Sequence, residues 1–328
     1  MNTKSHLLAL LEKNRGQNIS GEFIAREIGV SRAAVWKAVK ELEKDGYKIA
    51  AATKKGYRLE EDNDILSAQG ITAHLNFKAP PEISIHAEAE STNILAKQAA
   101  VSGAEHFTII LAERQTAGKG RRGKSFFSPP GCGIYMSFVL RPPMIWLDVP
   151  TLITVFAAVA VCEAIETVCG KHAKIKWVND IFLGGKKICG ISNEAGTDFQ
   201  SGEVSWIVTG IGVNFRAPEG GFPEEIRQIA GAVYDNPDET PPVTRNCLAA
   251  EIIKNMSRIS GSKSFDFLEK YRSLQMLLGE KITIHGTATP EITTATALDI
   301  DACGQLVVQT ESGEIISLSS GEVSVRGP

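Results

Sequence analysis

Cysteine is scarce in this sequence, and its spacing argues against the sites that cysteines commonly build. The 328-residue chain contains six of them: Cys132, Cys162, Cys169, Cys189, Cys247 and Cys303. None forms a C-x-x-C pair, so a structural zinc site is not expected. So few and scattered cysteines in so long a chain do not predict a disulfide framework either. We therefore predict free thiols in a reducing cytoplasm.

Long hydrophobic runs are also missing. No stretch reaches the roughly 20 unbroken apolar residues that span a bilayer, and the longest apolar region, Thr151 to Ile165, predicts a buried helix. The first residues, Met1 to His6, lack the apolar core and cleavage site of a secretory signal. With 43% apolar and 22% charged residues, the chain is typical of a globular protein of two or three domains, with no membrane partner.

The motifs of several enzyme classes are absent. Neither the G-x-x-x-x-G-K-[ST] spacing of a P-loop nor a dinucleotide fingerprint occurs. His74, His86, His106 and His172 stand in unrelated contexts, which argues against a hydrolytic triad. These absences favour a chemistry that works by positioning and charge stabilisation.

Charge is distributed unevenly along the chain. Residues 1–58 hold 12 Lys and Arg against 6 Asp and Glu, whereas the other 270 residues hold 23 against 32. A basic head on an acidic body suggests that the head has an anionic partner of its own.

The basic head has the pattern of a helix-turn-helix. A first amphipathic helix is predicted around Leu7 to Leu11. Ser20 is a candidate N-cap for a second helix over Gly21 to Ile28, and Ser31 for a third over Arg32 to Lys44. Two short helices joined by a tight glycine-containing turn are the signature of this motif.

A short wing follows the third helix, which carries a basic stripe. Two β runs, Gly46 to Ile49 and Gly56 to Leu59, predict the wing around a break at Ala50 to Lys55. Charge along a helix is often only a solvated face, but its coincidence with this spacing and a basic wing tip favours DNA binding. The predicted DNA-binding residues are Ser31, Arg32, Trp36, Lys37, Lys40, Lys54 and Lys55.

Two polar segments of the body follow apolar, strand-like runs. Ser91, Thr92 and Asn93 stand at a strand-to-helix junction, where such residues either cap the helix or bind a ligand. Gln115 precedes a loop, Gly118 to Lys124, that contains three glycines and four cations. Because the like charges repel one another, this loop favours an anion bound among them.

Two further segments place polar residues among apolar ones. Asn179 and Asp180 interrupt an apolar strand, and Gly184-Gly185 predicts a hairpin turn that brings Lys187 back beside them. The alternative for Asp180 and Lys187 is a purely structural ion pair. In the segment Gly210 to Asn214, small residues permit the close approach of a ligand that Asn214 can hydrogen-bond.

Composition shifts along the chain predict the domain boundaries. The acidic run Glu60 to Asp64 is interpreted as a linker, and the pattern changes from helical to β-rich near Leu278 to Glu280. We therefore predict domains over residues 1–62, 66–277 and 279–328.

In combination, these motifs resemble the biotin protein ligases, and more closely the bacterial bifunctional ligases that also repress the biotin operon. The resemblance covers essentially the whole chain. It implies an α+β multidomain fold with an N-terminal winged helix-turn-helix, a central mixed α/β ligase domain and a small C-terminal SH3-like β-barrel. The segments that carry it are Ser20 to Lys40, Lys55 to Leu59, Ser91 to Asn93, Gly118 to Gly123, Lys176 to Asp180, Lys187 to Ile191 and Gly321 to Arg326.

Three positions depart from the family pattern. Lys119 replaces the first arginine of the usual G-R-G-R-R-G loop, which keeps the charge but loses the planar fork. Val178 replaces the proline of K-W-P-N-D, and Phe126 stands where a tryptophan is common. Phe126 can still cover a ligand by stacking, without the N–H donor.

The resemblance implies an ATP-dependent biotin ligase that forms biotinyl-5′-AMP with Mg²⁺ and transfers biotin to a lysine of a carrier protein, such as that of acetyl-CoA carboxylase. The residues that it assigns to biotin are Ser91, Thr92, Asn93, Gln115, Lys119, Gly120, Arg121 and Lys187. Those that it assigns to catalysis and the adenylate are Arg121, Arg122, Lys187, Asn179, Asp180, Phe126, Gly190, Asn214 and Arg326. Asp180 is also the candidate for a Mg²⁺ contact; no other metal ligand is predicted.

The resemblance also implies operator DNA as a partner and a homodimer promoted by the adenylate. Three other functions remain open from the sequence: a lipoate ligase, a transcription factor whose body only senses a small molecule, and a ligase with an inert head. The Lys176 to Asp180 segment and the β-rich tail favour biotin over lipoate.

Overall fold

The computed structural model describes residues 2–52, 55–142, 149–198, 201–236, 238–285, 293–319 and 321–325. The chain divides into two compact units. The first comprises Met1–Pro80 and Pro241–Glu251, and the second comprises Pro81–Thr240 and Ile252–Pro328.

The first unit contains the helix-turn-helix that the sequence predicts. Ser20 accepts a hydrogen bond from the Phe23 N–H, and Ser31 accepts one from the Ala34 N–H at 3.2 Å, so both serines cap their helices. Gly29 ends the second helix with a left-handed φ of +69°. The elements are α1 (Thr3–Lys13), α2 (Gly21–Ile28), α3 (Arg32–Lys44), β1 (Ile49–Ala52), β2 (Gly56–Leu59) and α4 (Ala68–Ala73).

The first strand of the wing lies further along the chain than the sequence indicates. We expected it over Gly46 to Ile49, with a break from Ala50, but β1 runs from Ile49 to Ala52 and pairs with β2. Gly46 has a φ of +90°, and the Tyr47 N–H donates to the Leu42 carbonyl at 3.0 Å. These residues therefore close the C-terminus of α3 instead of starting the strand.

The acidic run that we interpreted as a linker is held in place. The Arg15 guanidinium donates to the Asn63 carbonyl at 2.7 Å. Arg245, whose side chain is almost fully buried, donates to the Asp64 carboxylate at 3.0 Å and to the Asp64 carbonyl. Asn63 and Asp64 are thus fixed parts of the first unit.

The second unit is built on a seven-stranded sheet with the strand order β3-β4-β5-β9-β8-β7-β6. All neighbours are antiparallel except the parallel pair β3 and β4. The strands are β3 (Ile83–His86), β4 (Thr108–Ala112), β5 (Gly133–Leu140), β6 (Lys174–Lys176), β7 (Asp180–Leu183), β8 (Lys186–Thr197) and β9 (Val204–Asn214). The helices that follow in the chain are α5 (Thr92–Val101), α6 (Pro150–Cys169), α7 (Glu224–Arg227), α8 (Arg245–Ser260) and α9 (Asp266–Leu274).

The apolar region of the sequence forms α6, as predicted. By length and composition, Thr151–Cys169 could cross a membrane, but 67% of its most apolar window is buried inside the fold. Its apolar side chains, such as Phe156 and Val161, are fully buried, as in a core helix. Asn255 on α8 donates to the Ala160 carbonyl at 3.2 Å.

Asn179 and Asp180 do not interrupt one continuous strand, as we had expected. The strand β6 ends at Lys176, residues 177–179 form a turn, and Asp180 begins β7, which pairs back onto β6. The polar side chains therefore stand at a strand end, where their hydrogen-bonding groups can turn toward a ligand. The hairpin turn at Gly184-Gly185 is confirmed between β7 and β8.

A second, five-stranded antiparallel sheet follows, with the order β13-β12-β11-β10-β14. Its strands are β10 (Lys281–His285), β11 (Thr293–Ile300), β12 (Leu306–Thr310), β13 (Ile315–Leu318) and β14 (Glu322–Val325). In the part of the chain that the structure describes, no pairing of the outer strands β13 and β14 closes this sheet, so the SH3-like barrel is not confirmed. The Trp177 indole donates to the Gly304 carbonyl at 3.0 Å and joins this sheet to the turn after β6.

The cysteines are free thiols, as predicted. Burial raises the pKa of Cys162 to about 12 and that of Cys189 well above the usual thiol value. Both side chains therefore stay protonated and behave as small apolar groups.

Candidate active site

Small residues on three neighbouring strands leave a hollow on one face of the seven-stranded sheet. In the central strand β9, Gly210 and Gly212 are on the same face, because side chains alternate along a strand. Each is flanked by a residue of β5 and one of β8. The two rows are Ser137, Gly210 and Ser192, and then Tyr135, Gly212 and Gly190.

The hollow is a small cavity of about 70 Å³. It brings together four segments that are far apart in the sequence, including the glycine-rich loop, Lys187 and the Ser91 to Asn93 segment. Its lining includes Ser91, Thr92, Asn93, Gln115, Lys119, Gly120, Arg121, Phe126, Asn179, Lys187 and Gly190 from the sequence-predicted set, and Ser125, Ile191, Ser192, Gly210, Ile211 and Gly212.

The N-terminus of α5 supplies the polar end of this cavity. Ser91 occupies the N-cap position, but its side chain makes no capping hydrogen bond, so the alternative of a simple cap is not what the structure shows. The Thr92 N–H instead donates to Gln115 Oε1 at 2.8 Å, and Gln115 Nε2 donates to Ser128 Oγ at 2.9 Å. Gln115 thus takes over part of the capping role and is itself held in one orientation.

Asn93 fills the space that Gly210 leaves open. A Cβ at position 210 would overlap Asn93 Oδ1. The amide lies between the two serines of its row: Ser137 Oγ is 2.7 Å from Oδ1, and Nδ2 is 3.2 Å from Ser192 Oγ. Nδ2 also lies 3.1 Å from Glu194 Oε1. Asn93 is therefore completely hydrogen-bonded by the protein itself.

The glycine-rich loop folds back on itself over the cavity. The Gly120 N–H donates to the Lys124 carbonyl at 2.7 Å, and the Phe126 N–H donates to the Gly118 carbonyl at 2.8 Å. Between them, Arg121–Gly123 form a single 3-10 turn. The Phe126 ring lies against Gly212, where an added Cβ would come within 2.6 Å of it.

Arg121 connects the loop to the β6–β7 turn. Its guanidinium donates to Asn179 Oδ1 at 3.0 Å, and Asn179 Nδ2 donates to the Ile191 carbonyl of β8 at 2.9 Å. Asn179 thereby fixes both the turn and the direction of the Arg121 side chain.

A second cavity of about 250 Å³ shares Arg121, Asn179 and Lys187 with the first. Lys187 Nζ lies 2.6 Å from Asp180 Oδ1 across the β7–β8 hairpin, as the sequence predicts. The described lining holds four cations and one carboxylate, a balance that suits a polyphosphate. It consists of Arg121, Lys124, Lys176, Trp177, Asn179, Asp180, Lys187, His285, Gly321, Val323 and Ser324.

A few sequence-predicted residues are not in either cavity. Asn214 donates to the Gly231 carbonyl at 2.9 Å and lines neither cavity. The Arg122 side chain, Lys54 and Arg326 lie outside the described residues.

Sequence reasoning missed residues whose partners are distant in the chain. Ser137 is fully buried in β5, and the only signal for it in the sequence was a serine within a strand of mostly apolar residues. Glu194 and Lys97 form an ion pair of 2.7 Å beside Asn93 that no spacing rule predicts. His285 and Ser324, 2.9 Å apart, come from β10 and β14.

The winged helix presents a separate groove between α3 and the wing. Its lining includes Arg32, Trp36, Ala52 and Tyr57. The Trp36 side chain is 57% exposed, and Ser31, Arg32, Lys37, Lys40 and Lys55 are exposed as well. The Ser31 hydroxyl accepts from the Ala34 N–H, and Lys40 pairs with Glu43 at 2.6 Å.

Comparison with known proteins agrees with this arrangement. Residues 3–58 match an HTH domain, residues 86–214 match the biotin/lipoate A/B protein ligase family, and residues 277–326 match the biotin protein ligase C-terminal domain. The bifunctional ligase/repressor BirA of Escherichia coli is 30% identical over an alignment of 342 residues, covering 98% of this chain and 96% of that one. This chain belongs to the bifunctional biotin ligase/repressor family.

Other relatives of this family support the same assignment. The bifunctional ligase/repressor BirA of Bacillus spizizenii is 37% identical over 228 residues, which are 69% of each chain. The structure of the biotin protein ligase of Aquifex aeolicus in complex with biotin and ATP has a TM-score of 0.62 at 26% identity, covering 76% of this chain and 99% of that one. The N-terminal helix-turn-helix and the central ligase fold are therefore both family features.

The close contact between Gly210 and Asn93 leads to a prediction about the first cavity. Gly210→Ala should displace the Asn93 amide, because the new Cβ would occupy its place, and should lower the free energy of unfolding by about 1–3 kcal/mol. We expect biotin affinity, measured by isothermal titration calorimetry, to fall at least tenfold. Gly21→Ala, where the new Cβ would meet only Tyr57 Cε2 at 3.5 Å, is the control. Unchanged biotin affinity in Gly210→Ala would show that the Asn93 position does not matter for binding.

Proposed function

We propose that this protein activates biotin with ATP, transfers it to a lysine of a biotin carrier protein, and represses transcription of biotin genes through its winged helix. The observation that carries the ligase function is the pair of cavities that share Arg121, Asn179 and Lys187. The C-terminal match to a domain of biotin protein ligases favours biotin over lipoate as the acid.

The shared residues lie where two anions have to meet. The first cavity, lined by hydroxyls and amides, suits the uncharged head of biotin, and its carboxylate then points toward Arg121 and Lys187. The second cavity, lined by cations, suits the phosphates of ATP. Positive groups held at the boundary stabilise both the approach of the anions and the charge that develops in the transition state.

The chemistry consists of two displacements. A biotin carboxylate oxygen attacks the α-phosphorus of ATP, the bond to the β-phosphate oxygen breaks, and pyrophosphate leaves. The ε-amine of the acceptor lysine then attacks the acyl carbon of biotinyl-5′-AMP, AMP leaves, and the amine loses a proton. No covalent bond to this protein is needed at either step.

We assign the side chains by the cavity that they line. Ser91, Thr92, Gln115 and the Lys119–Gly120 backbone face the biotin head, with Asn93 behind them, and Phe126 covers it. Arg121 and Lys187 hold the reacting carboxylate and α-phosphate, and Asn179 orients Arg121. Asp180 orients Lys187. Gly190 leaves room for the ligand beside Lys187. Contacts of Arg122, Asn214 and Arg326 with the nucleotide are assigned from the family resemblance alone.

We propose that Mg²⁺ binds together with the phosphates of ATP. Among the described residues, no group of three or more His, Cys, Asp or Glu side chains could hold a metal ion. Asp180 is the one carboxylate of the described second-cavity lining, and its Oδ1 is engaged by Lys187. The ion therefore fits as a partner of the phosphates, where it neutralises their charge, with Asp180 as its candidate protein contact.

The ligase proposal is tested with a biotin carrier domain incubated with this protein, biotin and Mg-ATP. Mass spectrometry should show a mass gain of one biotin. Lys187→Ala should slow biotinyl-5′-AMP formation by about 100-fold or more, because it removes a cation aimed at the reacting oxygens. Lys186→Ala is the matched control, since Lys186 is the adjacent residue but pairs with Asp235 at the surface. A carrier domain of unchanged mass would contradict the ligase function.

We assign the DNA-binding role to the groove between α3 and the wing. Arg32 and Trp36 line it, and Lys37 and Lys40 extend the same exposed face. Such a helix can enter a major groove while the wing follows the phosphate backbone.

Arg32→Ala should weaken binding to a duplex of mixed sequence and reduce the slope of log affinity against log salt by about 1, because one phosphate contact is lost. Fluorescence anisotropy at several salt concentrations measures both quantities. Lys13→Ala, which removes an exposed cation at the end of α1, should leave the slope unchanged. Equal losses in the two variants would contradict the assignment of this face.

We also propose that the adenylate promotes a homodimer. An adenylate bound beside Lys119 and Arg121 neutralises the loop and favours its closed form, which alters the surface around it. Analytical ultracentrifugation should show dimers with biotin plus ATP and monomers without them. Dimers that form equally well without ligand would rule out this coupling.

We also propose three domains for this chain. We place the winged helix in residues 1–62, the ligase domain in 66–277 and the C-terminal domain in 279–328, the last with an SH3-like barrel topology. We place the protein in the cytoplasm, where its carrier protein and operator are.

A further inference from the structure

Helix α9 ends beside the β6–β7 turn that carries Asn179. The Tyr271 hydroxyl on α9 donates to the Val178 carbonyl in this turn at 2.9 Å. Just after the helix, the Met276 N–H donates to the Ile175 carbonyl of β6 at 3.0 Å. The end of α9 therefore holds the backbone at two places before it reaches Asn179.

Tyr271 is a buried donor that lies away from both cavities. Its side chain is fully buried, and it is not among the residues that line either cavity. Burial raises the pKa of Tyr271 above the usual phenol value, so the hydroxyl keeps its hydrogen and donates it to the carbonyl. Val178 is buried as well, so the loss of this donor would leave a buried carbonyl poorly satisfied.

The C-terminal sheet supports both α9 and the turn. On α9, Arg272 Nε donates to the Ile300 carbonyl at 2.8 Å and lies 3.3 Å from Asp299 Oδ1. On the turn, the Trp177 indole donates to the Gly304 carbonyl at 3.0 Å. Because α9 and the turn are bound to the same sheet, their separation is fixed.

The Val178 carbonyl is one peptide bond away from Asn179. Since the peptide unit is planar, a shift of this carbonyl tilts the backbone at which Asn179 begins. Asn179 is also bound to Ile191 of β8: its Nδ2 donates to the Ile191 carbonyl at 2.9 Å, and the Ile191 N–H donates to its carbonyl at 3.1 Å. Its Oδ1 accepts from the Arg121 guanidinium at 3.0 Å. A continuous series of contacts thus leads from Tyr271 to Arg121.

We propose that Tyr271 is a positioning residue for Arg121. By holding the Val178 carbonyl, its hydroxyl sets the place from which Asn179 directs the guanidinium to the boundary of the two cavities. Tyr271 acts on the reaction without touching a substrate. This inference rests on the proposed function, because it takes Arg121 to hold the reacting carboxylate and α-phosphate.

Tyr271→Phe tests this role, because it removes one oxygen and keeps the ring. The kcat of biotinyl-5′-AMP formation, measured by ATP–pyrophosphate exchange at saturating biotin, should fall about 5- to 30-fold as the guanidinium loses its exact placement. KM for ATP should change less than about threefold, because the other cations of the second cavity still bind the phosphates.

The matched control is Tyr47→Phe. Tyr47 is a buried tyrosine of the first unit and belongs to neither cavity. This variant should lower the stability of the protein without changing kcat. An unchanged kcat in Tyr271→Phe, or equal losses in the two variants, would overturn the proposal.

A double-mutant cycle separates positioning from a general loss of stability. In an Arg121→Ala background, adding Tyr271→Phe should lower kcat by less than about twofold, because no guanidinium is left to misdirect. A merely structural role of Tyr271 would give the same loss in both backgrounds, and that result would contradict the proposal.

A further variant tests whether the hydrogen-bond donor is the group that matters. Replacing Tyr271 with p-aminophenylalanine keeps the ring and places an N–H donor where the hydroxyl was, so kcat should stay within about twofold of the unmutated protein. A loss as large as that of Tyr271→Phe would contradict the role of the donor. No biotinyl-5′-AMP formation by the unmutated protein would contradict the proposed function instead.

Discussion

The shape of the first cavity depends on two glycines, which have no side chains. In β9, Gly210 contacts the Asn93 amide and Gly212 contacts the Phe126 ring. A methyl group at either position would lift one wall of the cavity. Because both glycines belong to the central strand of three, the hydroxyls of β5 and β8 can reach the inserted amide from opposite sides. The first cavity is thus formed by strands that are far apart in sequence.

The charged side chains next to the first cavity are held in place by hydrogen bonds and an ion pair. Each cation that lines both cavities is held by a neighbour: Arg121 donates to Asn179, and Lys187 pairs with Asp180. Those two neighbours are consecutive residues at the end of a hairpin turn. In the proposed reaction, the cations are therefore in place before the substrates arrive, and little reorganisation is needed when charge develops on the phosphorus. The Trp177 hydrogen bond to Gly304 ties the turn to the C-terminal sheet, which makes that sheet part of the site's support.

The sequence predicted the features that depend only on residues close together in the chain. The capping serines at 20 and 31, the turn at Gly184-Gly185 and the approach of Lys187 to Asp180 each depend on a few neighbouring residues, and the sequence was sufficient for them. Asn214 shows where this reasoning stops. Its side chain can serve a ligand or the backbone, and only the placement of Gly231, 17 residues away, decides that its amide donates there. The open five-strand order at the C-terminus likewise depends on which strands pair, and apolar patterning does not specify that.

Ser137 illustrates why a single polar residue inside an apolar strand is informative about the structure. An unpaired hydroxyl in the middle of β5 would cost free energy, so its presence predicts a buried partner even when that partner cannot be named. The partners are side chains from α5, and α5 is held over β5 and β9 by the apolar contacts of Ala96 and Ala100 with Val139 and Val208. Packing at the far end of α5 therefore sets the distance at which Asn93 meets the sheet. The position of the first turn of α5, which lines the first cavity, therefore depends on this apolar packing further along the helix.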